Sequence, residues 1–392
     1  MNIFVIGTID KKGGAAIVSW ELRKKLKENG HTVNTYVRYK YSEETDIHVI
    51  PRKRWQDWLV KLFAYDLAFS WTDYLMDTKE FKEADIVHCH NLHSNFFDLK
   101  TLQKMSMKKP VVWTQHDIWS ITGFASDMLT LHHPNKKRFL LYLWDNTPFL
   151  YWMKKRIYNK SNLHIVTVSD WQKNIFKDSI LGDKDITRIY NGVDTDIFKP
   201  YNKAETRKEL GLPINKKIVL AGMYDQRVSN AVIDHFIGNN DIFFIAIGKP
   251  SIKTLNKNYK VLPYTYDRTV FAKYLSSADI FMHPTYGETF GLACAEALAC
   301  GTIPISTNVE AVPEVVVHEK TGYLAPYNDN TKFIECVNRA LNLSQDGYRT
   351  MTENGVTYVR DNFAINKIYN EYVNLYEKLI NEFKISHVNK TK

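Results

Sequence analysis

Short apolar runs alternate along the chain with longer segments whose apolar positions recur every three or four residues, a pattern that predicts an α/β architecture built on parallel sheets. From Asn2 to Gly7 the run reads as a first strand, a polar loop TIDKKGG follows, and helical spacing from about Ala15 to Asn29 ends at Gly30. Further strands are predicted from Asp85 to Cys89, Pro110 to Thr114, Ile165 to Val168, Lys217 to Ala221, Asp241 to Gly248 and Val261 to Tyr264. A helix capped by Ser169 or Asp170 follows the Ile165 strand. Amphipathic helices are predicted from Thr331 to Leu343 and from Asn366 to Phe383, before a polar tail, ISHVNKTK.

Two stretches are more aromatic than this alternation requires. Trp55, Trp58, Leu59, Leu62 and Phe63 fall at helical spacing, with Arg54, Gln56, Asp57 and Lys61 elsewhere on the wheel. Packing of the aromatic face on the domain's own core is the default expectation, and a surface lying on a membrane is the alternative. The second stretch, KKRFLLYLWDNTPFLYWMKKRIY, contains Asp145, Asn146 and Pro148, which exclude a span, while its basic flanks suit a lipid interface.

The length of 392 residues suits two domains rather than one core. With 44% hydrophobic and 24% charged residues the composition is that of a globular protein. No apolar run approaches the ~18 residues of a membrane span, and MNIFVIGTID lacks the basic region that opens a signal peptide, so a cytoplasmic protein is expected. Lys and Arg number 52 against 43 acids, and the balance of +9 implies an acidic partner. No nucleic-acid motif accompanies that charge. Cys89, Cys294, Cys300 and Cys336 lack metal-ligand spacing and are expected to be buried free thiols.

Candidate chemistry concentrates in TYGETFGLACAEALACGTIPISTNVEAVPEVVVHEKTGYL, residues 285–324. Gly287 and Gly291 bracket a turn into a helix that Gly301 closes, so the amides of Phe290, Gly291 and Leu292 sit at a positive helix end suited to a phosphate. Glu288 precedes that helix and Glu296 lies within it. Eight helical residues rise about 12 Å, enough for two carboxylates to address opposite ends of one elongated ligand. An acid beside a helix start also has a plainer role as a dipole partner. In the first half, Gly13 and Gly14 allow close backbone approach, HCHNLH follows a strand as a weak metal candidate, and His116 emerges where a strand ends, able to cap, to pack or to meet a ligand.

The spacing of Glu288 and Glu296, with GTIPI, EAVPEVV and TGYL after them, resembles the donor-binding signature of retaining glycosyltransferases of family 4, which have the two-domain GT-B fold. VVWTQHDIWSITG resembles the matching segment of members that act on cell-surface polysaccharides, and NGVD followed by FKP resembles the hinge. The resemblance implies two Rossmann-like domains facing across a cleft, an N-terminal acceptor-side domain over 1–194 and a C-terminal nucleotide-sugar domain over 195–365, with 366–392 crossing back as a helix and tail. It implies that Glu288 contacts the transferred sugar, Glu296 the ribose, the Phe290, Gly291 and Leu292 amides the sugar and diphosphate, and His116 the sugar from the other domain. The Gly14 loop would help close the cleft. Members of the family present an Arg and a Lys-Gly after the first strand of the second domain. Here GMYDQRVSN offers Arg227, with Val228-Ser229 in place of Lys-Gly, so either Arg227 and Lys249 share the diphosphate or turnover is weak.

The expected function is retaining transfer of a hexosyl-type sugar from a nucleoside diphosphate donor to a hydroxyl of a cell-surface glycan or lipid-linked oligosaccharide. No cofactor and no essential metal are expected, and peripheral contact with the inner face of the cell membrane is the additional partner the aromatic stretches allow. A glycan- or nucleotide-binding pseudoenzyme is the second expectation, motivated by the missing Lys-Gly, and a GT-B epimerase or phosphorylase the third.

Overall fold

The computed structural model describes the chain except for residues 64–66, 68–69, 129–145, 223, 249–256 and 389–392. It divides into two compact units, Met1–Gly192 together with the chain from Asn366, and Val193–Ile365. Val193 belongs with the second unit because its N–H donates to Phe363 O at 2.8 Å and its carbonyl accepts from Ile365 N at 2.9 Å.

The first unit is built on a parallel sheet ordered β3-β2-β1-β4-β5-β6-β7. Its strands are β1 (Asn2–Ile9), β2 (Thr32–Tyr39), β3 (Ile47–Val49), β4 (Ile86–Cys89), β5 (Val111–Gln115), β6 (His164–Thr167) and β7 (Asp185–Arg188). Both faces are covered, which is why its strands read as continuous apolar runs. Phe4, Ile6, Val87, Cys89 and Trp113 enter one core, while Ile3, Val5, Ile86, Val112 and Val166 enter the other. That second core is completed by Leu22 and Leu26 of the helix Gly14–Glu28 and by Ile368, Tyr372 and Tyr376 of the long helix Ile365–Val388.

The second unit has the sheet order β10-β9-β8-β11-β12-β13, again all parallel. These strands are β8 (Lys217–Gly222), β9 (Ile242–Ile247), β10 (Tyr259–Leu262), β11 (Ile280–His283), β12 (Ile303–Thr307) and β13 (Tyr323–Ala325). Asp279 pins β11 beside β8: its carboxylate accepts from Ile218 N at 2.7 Å, Arg207 at 2.8 Å and Lys203 at 2.9 Å. A helix over Gln345–Asn362, absent from the sequence reading, lays Gly355 against Leu298, where an added Cβ would come within 2.8 Å of the leucine.

In each sheet the strand order reverses beside the first strand, between β1 and β4 and between β8 and β11. Ligands of open α/β sheets bind at such points, outside the carboxyl ends of the strands.

The helix Arg54–Phe63 corrects the default expectation that its aromatic face packs on the core. Trp55, Trp58 and Leu62 are exposed, and Gln56 and Val60 are buried instead. Polar anchoring turns the helix this way: Gln56 Oε1 accepts from Lys53 N at 2.7 Å, and Asp57 accepts from Arg38 at 3.0 Å and Arg52 at 2.7 Å. All four cysteines are buried and free. Among the described residues no helix is long and apolar enough to cross a membrane.

Candidate active site

At the carboxyl end of β11 the chain leaves His283, turns through Thr285 and Gly287, and enters the helix Leu292–Ala299 at Gly291. Gly291 has φ +97°, which a side chain would resist, and its carbonyl accepts from Cys294 N and Ala295 N as the helix begins. No side chain caps that end. Phe290 itself turns inward, meeting Phe363 edge-on at 5.2 Å. Gly287 lies against the loop after β12, because an added Cβ there would come within 2.8 Å of the Glu310 carboxylate.

Glu288 is held partly open beside this corner, with Oε1 3.4 Å from His283 Nε2. That is an ion-pair distance without the alignment of a hydrogen bond. Burial alone would push the His283 imidazole down, but the Cys294 sulfur and the Glu288 carboxylate outweigh it and raise its pKa to about 10. His283 Nδ1 rests 3.2 Å from Ser306 Oγ.

Glu296 sits deeper than Glu288. Its carboxylate is buried and gripped by Arg268 from the helix Arg268–Ser277. The guanidinium in turn lies 4.5 Å from the Phe198 ring. Burial raises the Glu296 pKa against the pull of Arg268. Arg227, on the first turn of the helix Gln226–Phe236, is 71% exposed and folds back on its own N-cap, Asp225, at 2.9 Å. Asp225 N donates to Pro284 O at 2.9 Å, so the β8 and β11 loops are joined at this acid. Lys249 lies outside the described residues.

In the first unit the equivalent strand ends carry a histidine network. Thr8 Oγ1 donates to Asn91 O at 2.9 Å across the ends of β1 and β4. His116, half-buried after β5, stacks on His90 with His116 Nε2 2.9 Å from His90 Nδ1. His90 in turn meets the His88 ring at 4.2 Å. His88 is held by Thr114 at 2.8 Å and by Tyr376 at 2.7 Å. Burial depresses all three imidazoles: His116 to about 4, His88 to about 3, and His90 well below the usual range. They are neutral donors and acceptors at neutral pH. Next to His116, Asp117 pairs with His93 at 3.1 Å. Gly14 is exposed, with open space where a Cβ would project. Among the described residues no three His, Cys, Asp or Glu side chains converge as metal ligands would.

Two family models match the chain: Glycosyltransferase Family 4 over residues 12–197 and Glycosyl transferases group 1 over residues 249–357. The chain belongs to the group 1 glycosyltransferases of GT-B fold. Among the relatives of this glycosyltransferase, N-acetyl-alpha-D-glucosaminyl L-malate synthase of Bacillus anthracis is 23% identical, with 95% of this chain and 96% of the relative aligned. A processive diacylglycerol alpha-glucosyltransferase of Acholeplasma laidlawii is 24% identical over 79% of this chain and 89% of its own. Of solved structures, sucrose-phosphate synthase from Thermosynechococcus elongatus superposes with TM-score 0.69 at 18% identity, covering 97% of this chain and 99% of that one. HepE from Anabaena, crystallised with UDP and glucose, gives 0.68 at 16% identity, covering 96% and 99%.

For this glycosyltransferase the strand ends of the second unit bring together Glu288, Gly291 and the start of the Leu292 helix, with Arg227 beside Asp225 at the neighbouring β8 end. Sequence reasoning missed Arg268, His283, Asp225 and Glu310, and read His90 only as part of the weak metal candidate HCHNLH. Asp225 was open to recognition as an acid two residues before Arg227 in GMYDQRVSN. The Arg268 and His90 contacts join residues distant in sequence and carried no local signal.

Proposed function

We propose that this glycosyltransferase is a retaining hexosyltransferase that moves a sugar from a nucleoside diphosphate donor to a hydroxyl of a cell-surface glycan or lipid-linked oligosaccharide. The observation that carries the reading is Glu288, half-open at the β11 end between His283 and an uncapped helix start. There a carboxylate can accept hydrogen bonds from sugar hydroxyls while the positive end of the Leu292 helix faces an anion. HepE was crystallised with UDP-glucose, which supports a nucleotide sugar as the donor.

In this reading the anomeric carbon–oxygen bond to the diphosphate breaks as the acceptor oxygen approaches from the same face. The diphosphate leaves with the electron pair and takes the acceptor proton. Negative charge grows on the leaving group, where the Phe290, Gly291 and Leu292 amides and Arg227, with Lys249, stabilise it. Glu288 and His116 orient the transferred sugar, Glu296 serves the ribose through its pair with Arg268, and Gly14 keeps its loop open to a ligand. No protein-bound metal enters these steps. We place the enzyme in the cytoplasm, with peripheral membrane contact through the helix Thr147–Tyr158. Phe149 and Trp152 are exposed on that helix, and Lys155 and Arg156 lie in its last turn.

The Asp225–Arg227 pair favours a second reading, a nucleotide-binding pseudoenzyme, because it sets an acid against the exposed cation that the diphosphate would require. A thermal-shift panel of UDP-, GDP- and ADP-sugars tests the proposal, since a ligand bound only by the folded state raises the melting temperature. A shift with one base family supports it, and none with any donor contradicts it.

A further inference from the structure

A cavity of about 280 Å³ opens on the first unit beside the helix Arg54–Phe63. Trp55, Trp71 and Tyr74 stand exposed at its rim, and buried Phe96 closes one wall. Pro51 adds to its apolar part, and the remaining lining is polar: Arg52, Lys53, Gln56, Ser70 and Thr72. Of these, Arg52, Ser70 and Thr72 are already fixed in place. Arg52 donates to Ser70 Oγ at 2.8 Å and to Asp57 at 2.7 Å, and Thr72 Oγ1 bonds Thr101 at 2.9 Å.

We propose that this pocket is an auxiliary acceptor subsite that holds one pyranose ring of the acceptor glycan, away from the hydroxyl that reacts; it rests on the glycosyl-transfer reading above. A sugar ring has an apolar C–H face and a polar rim. Indole and phenol rings offer the first a flat apolar surface, while buried hydroxyl, amide and guanidinium groups offer the second hydrogen bonds. The volume lies near the low end of the ~300–1,000 Å³ of ordinary ligand pockets and suits one ring rather than a chain. An acyl chain fits worse, because it brings no hydrogen-bonding group to the polar part of the lining. Trp58 and Leu62, also exposed on the helix, lie outside the lining.

The pocket is tied to His116 by one short loop. Phe96 follows Ser94 and Asn95, whose φ values of 80° and 58° are left-handed. The Ser94 carbonyl is held in that conformation by the Arg38 guanidinium. His93, at the start of the loop, pairs with Asp117 beside His116. Three residues span at most about 10 Å, so a glycan seated at Phe96 has its neighbouring unit within reach of the His93–Asp117 pair.

Saturation-transfer NMR on the full chain, with the methyl pyranosides of glucose, galactose, mannose and N-acetylglucosamine as probes, tests the subsite in wild type, Trp71→Ala and Trp55→Ala/Trp71→Ala. Both tryptophans are exposed, so the variants keep the wild-type melting temperature and the wild-type shift with UDP-sugars. The expected result is transfer to at least one glycoside, with its Kd raised tenfold or more in the double variant and partly recovered in Trp71→Phe. No transfer to wild type, or transfer unchanged in the double variant, overturns the proposal. So does loss of co-sedimentation with phosphatidylglycerol vesicles in the double variant while glycoside binding persists, which would make the surface a lipid contact. Glycoside binding at the pocket without any UDP-, GDP- or ADP-sugar shift keeps the sugar site and removes the transferase reading instead.

Discussion

Arg268 closes on the buried carboxylate of Glu296, so the acid expected at the ribose is also half of a buried ion pair. Removing one partner of such a pair leaves an uncompensated charge and costs about 3–5 kcal/mol. Glu296→Ala is therefore expected to lower stability by about 3 kcal/mol in denaturant titration, the low end because Arg268 is 21% exposed. Glu296→Gln keeps an acceptor for Arg268 and should lose less, while still weakening donor binding. An unchanged denaturation midpoint in Glu296→Ala would count against the pair.

Glu288 contrasts with Glu296 in being open on one side. Glu288→Gln preserves shape and removes charge, so it should leave the fold intact and cost at least 100-fold in kcat, roughly 2.7 kcal/mol. Steady-state kinetics at saturating donor decides this, and a rate within threefold of wild type would remove Glu288 from the sugar contact.

Asp225 restrains Arg227 while capping its helix. Asn caps about as well as Asp, so Asp225→Asn should fold normally and release the guanidinium toward the diphosphate. Tighter donor binding in Asp225→Asn, and weaker binding by tenfold or more in Arg227→Ala, are the expected titration results. Weaker donor binding in Asp225→Asn would show that the acid itself serves the ligand.

The histidines of the first unit give a pH signature. His88 is fully buried with its pKa lowered from 6.5 to about 3, and His116 is lowered to about 4. Between pH 6.5 and those values the unfolded chain carries protons that the folded chain does not. Stability therefore rises with pH across this window and is lost on acidification, by up to about 1.4 kcal/mol per pH unit for each such group. Denaturant titrations from pH 7 to 4 should show this slope, and His88→Asn should reduce it. A flat profile would contradict the buried neutral imidazoles.

Much of this architecture was legible because its decisive signals are local. Gly291 and Gly301 have φ of +97° and +71°, and glycine at a helix start and end is the residue that permits those angles. Glu288 was recognisable from its place between Gly287 and Gly291. The Arg268–Glu296 pair was not, since its partners lie 28 positions apart on two helices that only the tertiary fold brings together. The helix Gln345–Asn362 was hidden by Gly347 and Gly355, of which Gly355 is there to admit Leu298. Tryptophans at helical spacing suggested core packing for Arg54–Phe63, but spacing identifies a face and not what covers it. Gln56 and Asp57, whose hydrogen bonds turn that face outward, read in the sequence as the solvent side of the wheel.

The central claim, that Glu288 and the Gly291 helix start turn over a nucleoside diphosphate sugar, is tested most directly by release of free nucleoside diphosphate from a donor panel, with wild type and Glu288→Gln side by side. Release from at least one donor by wild type, reduced at least 100-fold in Glu288→Gln, is the predicted result. Release from no donor, or equal release by both proteins, would contradict it.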